Sequence, residues 1–95
     1  MTLVHQILSL PYGMKPCKKV GVTLQGNLSG ADLSEANLCG ANLSGANLTS
    51  ADLRGANLCQ ANLEKANLKE AKIGGANLNG AKLSGATMPD GTKHD

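Results

Sequence analysis

Aromatic residues are almost missing from this 95-residue chain, which has no phenylalanine, no tryptophan and one tyrosine, Tyr12. Aromatic side chains supply much of the buried area in an ordinary globular core. A conventional globule is therefore a poor fit, although the length suits a single domain. Histidine is confined to His5 and His94, near opposite termini and outside any ligand-spaced cluster, so no metal centre and no cofactor is expected. Three cysteines, Cys17, Cys39 and Cys59, form an odd set. Met1 to Leu10 lacks the basic start and unbroken apolar run of a secretion signal, so reduced thiols in the cytoplasm are expected. The net charge is only +2. No apolar run approaches the ~18 residues of a membrane-spanning helix, so no stable membrane insertion is expected.

What the chain has in abundance is one spacing. From Gly26 to Asp90 it divides into thirteen consecutive groups of five. Their centres are Leu28, Leu33, Leu38, Leu43, Leu48, Leu53, Leu58, Leu63, Leu68, Ile73, Leu78, Leu83 and Met88. Alanine stands two residues before every centre except the first, where Gly26 takes its place. The residue just before the centre is Asn or Asp in ten of the thirteen groups, with Lys72, Lys82 and Thr87 as exceptions. Such self-similarity governs the fold and takes precedence over local propensity.

A period of five suits neither regular element. On an α-helix, with ~100° per residue, a step of five turns the side chain by ~140°, so the leucines would scatter around the axis. On a flat strand an odd step sends alternate leucines to opposite faces. All thirteen centres become equivalent only if the chain turns one corner every five residues and winds into a coil. The expected fold is an all-β solenoid with the centres stacked inside.

The A-(D/N)-L-X-X pattern resembles that of the pentapeptide-repeat family, and it runs through 65 of the 95 residues. The resemblance implies a right-handed quadrilateral β-helix with 20 residues per coil, here about three coils. Handedness and the four sides come from the resemblance, not from the spacing. Echoes at a separation of 20 are consistent with it: Asp32 and Asp52, Cys39 and Cys59, Ser29 and Thr49.

Three segments are expected: a cap or linker over residues 1–25, the coil over 26–90, and a flexible tail over 91–95. Leu3, Ile7, Leu8 and Leu10 can share one side of a short helix, ended by Pro11, Tyr12 and Gly13, which would cap the first coil or, in the alternative, dock on a partner or a membrane surface. Val22 and Leu24 alternate like a strand, but Leu24 lies one residue out of the five-residue register, so the coil is expected to begin irregularly. Pro89 and Asp90-Gly91 signal a terminal turn that blunts the last edge. Lys15, Lys18 and Lys19 give the first 25 residues a charge of +3, against −1 for the repeats.

Asn and Asp suit corners, because they tolerate unusual backbone angles and bond to local backbone. Glycines such as Gly40, Gly45, Gly55, Gly75, Gly80 and Gly85 fit the same corners. Cys39 and Cys59 form a candidate thiol pair on adjacent coils. In-register side chains point the same way, however, and not at each other. Asp32 and Asp52 would stack with Lys72 in one column, a potential acid–base pair. A convex prism offers such a pair no pocket.

No nucleophile–base set and no phosphate loop appears, so no enzyme is expected. The expected function is a structural or protein-interaction module with an unidentified protein partner, able to form a homodimer through a coil end. The alternative that the resemblance suggests is a DNA-mimicking inhibitor or protector of DNA gyrase. That role calls for a long, strongly negative rod, whereas these repeats total −1. No nucleic-acid partner is expected either, since no reading helix or basic face with stacking aromatics is present.

Overall fold

The computed structural model describes residues 18–95. The expected helical cap in Met1–Leu10 lies outside those residues.

From Asn27 to Thr87 the coil-to-coil bridges are all parallel and 20 residues apart: Asn27 with Asn47, Asp32 with Asp52, Asn37 with Asn57, Asn42 with Asn62, and so on to Asn67 with Thr87. With five residues per group, each coil therefore has four sides. The first side carries centres 28, 48, 68 and 88. The second carries 33, 53 and 73, the third 38, 58 and 78, and the fourth 43, 63 and 83. Each side holds a single bridged residue per coil, so among the described residues no regular strand forms. The corner takes up most of the five-residue group and leaves little extended chain between turns.

The hydrogen bonds of one group show why five residues close a corner. Take Ala46 to Ser50. The Ala46 amide donates to the Leu43 carbonyl at 3.1 Å, closing the previous corner as a four-residue turn. The Asn47 amide donates back one coil to Gly26, and the Leu48 and Ser50 amides donate forward one coil to Asn67 and Lys69, at 2.7–2.9 Å. The fifth amide, that of Thr49, cannot reach another coil. The side-chain oxygen of Asn47 receives it at 3.1 Å. All five amides are thus satisfied, which a buried or half-buried backbone requires. The same side-chain bond recurs from Asn27 to Ser29, Asp32 to Ser34, Asn37 to Cys39, Asn42 to Ser44, Asp52 to Arg54, Asn57 to Cys59, Asn62 to Glu64, Asn67 to Lys69 and Asn77 to Asn79. The Asn/Asp rule of the sequence is the chemical trace of this fifth amide. Thr87 escapes it because Pro89, two residues on, has no amide hydrogen to place.

In the first twelve groups the second corner residue has positive φ, from 60° at Glu35 to 74° at Gly85. Five of these residues are not glycine: Glu35, Ser50, Gln60, Lys65 and Glu70. Each is held in a region that costs an L-residue roughly 1–2 kcal/mol. Stacking explains where side chains are allowed at all. A β-carbon added to Gly55 would come within 2.7 Å of the Glu35 carboxylate, and one at Gly80 or Gly85 would meet the stem of Gln60 or Lys65 at 3.2 Å. On these three sides a corner side chain lies over a glycine of the next coil.

The thirteen centres lie in one apolar column. Leu43, Leu48, Leu53 and Leu63 have no exposed surface, and Leu38, Leu58 and Leu68 nearly none. Leu28 and Leu33 at one end, and Ile73, Leu78, Leu83 and Met88 at the other, are half-buried. Alanines 41 to 66 are fully buried beside them.

Pairing extends past both expected bounds of the coil. The ladder begins before Gly26: Val20 donates to Cys39, Asn42 to Val22, and Leu24 to Asn42. Thr23 pairs with Asn42 at a separation of 19, one residue short of the later register. This is the irregularity carried by Leu24. At the other end the expected flexible tail is instead paired. Thr87 and Lys93 form an antiparallel bridge. His94 donates to Ala86, while Gly85 donates to His94 and Met88 to Thr92. The turn that sends the chain back is set by Asp90, whose carboxylate receives both the Thr92 amide and hydroxyl.

Two sets of substitutions test this reading in chemical denaturation. Leu53→Ala, at a fully buried centre, is expected to cost roughly 2–5 kcal/mol, and Leu33→Ala, at the half-buried end, distinctly less. Asn47→Ala, which strands the Thr49 amide, is expected to cost about 1 kcal/mol. Lys82→Asn, which offers the Ser84 amide an acceptor, is expected to raise the midpoint. Equal losses at Leu53 and Leu33, or a lowered midpoint for Lys82→Asn, would contradict it.

Candidate functional site

Column residues on the second side differ most from plain repeat chemistry. Asp32, Asp52 and Lys72 stack as consecutive bridged residues. The first corner residues above them are Ser34, Arg54 and Gly74, and the second are Glu35, Gly55 and Gly75. The Arg54 guanidinium holds the Asp52 carboxylate with two bonds, Nε to Oδ1 at 2.9 Å and Nη2 to Oδ2 at 2.8 Å. Its own side chain is 59% exposed. Ser34 donates its hydroxyl to Asp32 at 2.6 Å.

These bonds decide the acid–base question. The Arg54 side chain, helped by the Arg54 amide, pulls the Asp52 carboxyl down to about 2. The Ser34 hydroxyl, then the Ser34 amide, lowers Asp32, against the opposing effect of the Asp52 charge. Asp52 in turn raises Arg54. Both carboxylates stay ionised and are poor bases near neutral pH, so the stacked pair is not suited to proton transfer.

The prism is not wholly convex. Ser34, Glu35, Arg54, Gly55, Gly74 and Gly75 line a shallow, open groove on the second side. It exists because two neighbouring columns both lose their side chains at Gly74-Gly75, the only paired glycines in the sequence. Aligning the chain in rows of twenty exposes that signal, whereas the five-residue pattern hides it. The groove has Glu35 and Arg54 along one border. Lys72 belongs to the same side.

The sulfurs are arranged differently from expectation. Cys39 and Cys59 occupy equivalent positions one coil apart, but they are not bonded to each other: Cys39 is disulfide-bonded, and Cys59 keeps its thiol. Cys39 is fully buried and Cys59 half-buried. The entering segment accounts for part of that difference, with Val20 bonded to the Cys39 carbonyl and Lys19 lying over Gly40. No group of three or more potential metal ligands occurs among the described residues, and no helix among them is long and apolar enough to cross a membrane.

Comparison with known proteins agrees with the coil. A family model described as pentapeptide repeats matches residues 27–64 and 61–89. Among solved structures the chain is similar to HetL of the cyanobacterium Nostoc sp. strain PCC 7120, a pentapeptide repeat protein involved in heterocyst differentiation regulation. Identity is 47%, covering 76% of this chain and 32% of HetL, with a TM-score of 0.57. It is also similar to alr5209 of Nostoc PCC 7120, at 37% identity over 87% of this chain and 77% of that one, TM-score 0.36. A third is Rfr23 of the cyanobacterium Cyanothece 51142, at 34% identity over 90% and 71%, TM-score 0.39. The chain spans about a third of the length of HetL. No curated protein matches it.

The Asp52 bond gives a pH test. Its folded carboxyl titrates at about 2, below the ordinary 3.8, so its contribution is complete above 3.8 and is lost as pH falls through about 2. Asp52→Asn keeps an oxygen for the Arg54 amide and removes only the charge. Thermal unfolding followed by circular dichroism is expected to place this variant below the parent at neutral pH, with the gap closing as pH falls toward 2. A gap that is the same at both ends would show that the ion pair contributes nothing.

Proposed function

Because the chain belongs to the pentapeptide-repeat family, we propose that it is a non-enzymatic interaction module: a right-handed, four-sided coil of about three turns that binds a protein partner through its second side. One observation carries this reading. The coil uses its repeated amides and Asn/Asp oxygens on itself, and the second side is where charged groups border a groove. Glu35 and the exposed Arg54 line it, and Gly74 and Gly75 leave room for a partner's side chain. Rigid backbone beneath such a groove lowers the ordering cost of binding.

Regulation by binding is compatible with the likeness to HetL, a protein involved in heterocyst differentiation regulation. A DNA-mimicking role draws no support from the surface. The second side mixes Asp32, Glu35 and Asp52 with Arg54 and Lys72, and Lys18 and Lys19 stand at the entry to the third. A duplex mimic needs an extended run of negative charge.

Affinity capture from native cell extract, with mass spectrometry, tests the proposal when run on three forms. The parent protein is expected to retain a defined partner. Gly75→Gln is expected to lose it, because the groove is filled by a side chain of the kind Gln60 places at the same backbone angle. Lys69→Glu, on the first side, is expected to keep it. Capture by Gly75→Gln at the parent's level, or no partner in repeated trials, would overturn the assignment.

A further inference from the structure

We infer that residues 72–95 form a stop, built to keep a second copy of the chain from adding to the C-terminal end of the coil. This is independent of what the second side binds. The first observation is where the Asn/Asp rule fails. Nine successive groups, from Asn27 to Asn67, obey it, and all three exceptions, Lys72, Lys82 and Thr87, fall in the last coil. Among the described residues, no further coil bonds the outer edge of that coil.

The second observation is what the tail occupies. Inside the coil, the amide of a second corner residue donates forward one coil, as Gly45 does to Glu64. The alanine carbonyl receives an amide from the next coil, as Ala46 does from Asn67, and the central amide donates forward, as Leu48 does to Asn67. At the end these three groups are Gly85, Ala86 and Met88. The His94 carbonyl, the His94 amide and the Thr92 carbonyl take them in turn, at 2.7–2.9 Å. The tail therefore fills the positions an added coil would use along the first side, and it does so antiparallel, which ends the parallel register.

On the remaining sides no described residue bonds the edge. Among the described residues, the amides of Ile73, Leu78 and Leu83 reach no backbone carbonyl, and the carbonyls of Ala71, Ala76 and Ala81 receive no backbone amide. The side chains of Ile73, Leu78 and Leu83 are half-buried. An edge of this kind is a template for another chain. Two of its three open sides carry lysine at the bridged position, Lys72 and Lys82. Two copies meeting end to end about a two-fold axis would bring the same cationic set together from both sides, and like charges across paired strands oppose association. Lysine on an edge, proline beside it and a covering segment are three independent devices of the same kind. The sequence alone suggests a coil end as the route to a homodimer; at this end the structure points the other way.

Sedimentation at rising protein concentration tests the stop. The parent is expected to show no association through this end: Asn77→Lys, which adds a third charge there, leaves its mass unchanged. The variant Lys72→Asn, Lys82→Asn, His94→Pro removes both charges and the His94 amide that holds the tail. It is expected to associate with concentration, and adding Asn77→Lys to it is expected to restore the parent's mass. His94→Pro alone, which leaves the lysines in place, is expected to associate more weakly than the triple variant, and it serves as the readout if the triple variant does not fold. A folded triple variant that sediments like the parent at every concentration would overturn the inference. So would a parent whose association Asn77→Lys abolishes.

Discussion

One hydrogen bond makes the rest of this structure possible. In each five-residue group from Ala41 to Glu70 four amides find backbone carbonyls, one within the turn and three in adjacent coils. The amide of the first corner residue finds none, and an Asn or Asp two residues earlier receives it. Without that bond, nearly every corner of the coil would carry an unsatisfied donor, at a cost of about 1–3 kcal/mol where water is excluded. With it, a corner closes in so few residues that leucine can return to the inside at every fifth position. The apolar column, the buried alanines and the 20-residue register all follow from a corner that closes locally.

That local closure also limits what the surface can do. Asn and Asp are the most frequent polar residues of the repeat, yet their oxygens face their own backbone. Asp32, Asp52 and Asp90 are held ionised by neighbouring hydroxyl, guanidinium and amide donors. They form turns and do not act as acids. Variety is left to the two corner residues, and stacking restricts even those, since a side chain on one coil needs a small neighbour on the next. The groove beside Arg54 arises where that restriction relaxes, at Gly74-Gly75. The end of the coil is a second place where the rule is suspended, with lysines in place of amides and a tail laid across the edge.

The amino-acid pattern determined the period, the identity of every inward-facing centre and the choice of Asn or Asp at the corner, because each depends on contacts within five residues or on strict repetition. It also located the irregular entry at Leu24 and the terminal turn at Pro89 to Gly91. The 20-residue register was only implied by resemblance until the tertiary structure paired the coils, and that structure alone revealed the groove, the opposed chemistry of Arg54 and Asp52, and the separate fates of Cys39 and Cys59. It alone showed the tail paired to Gly85, Ala86 and Met88, where composition suggested a loose end. The physical reason is the same in each case. Partners one coil away are joined by backbone bonds that any residue except proline can donate, so the pairing leaves almost no mark on side-chain identity.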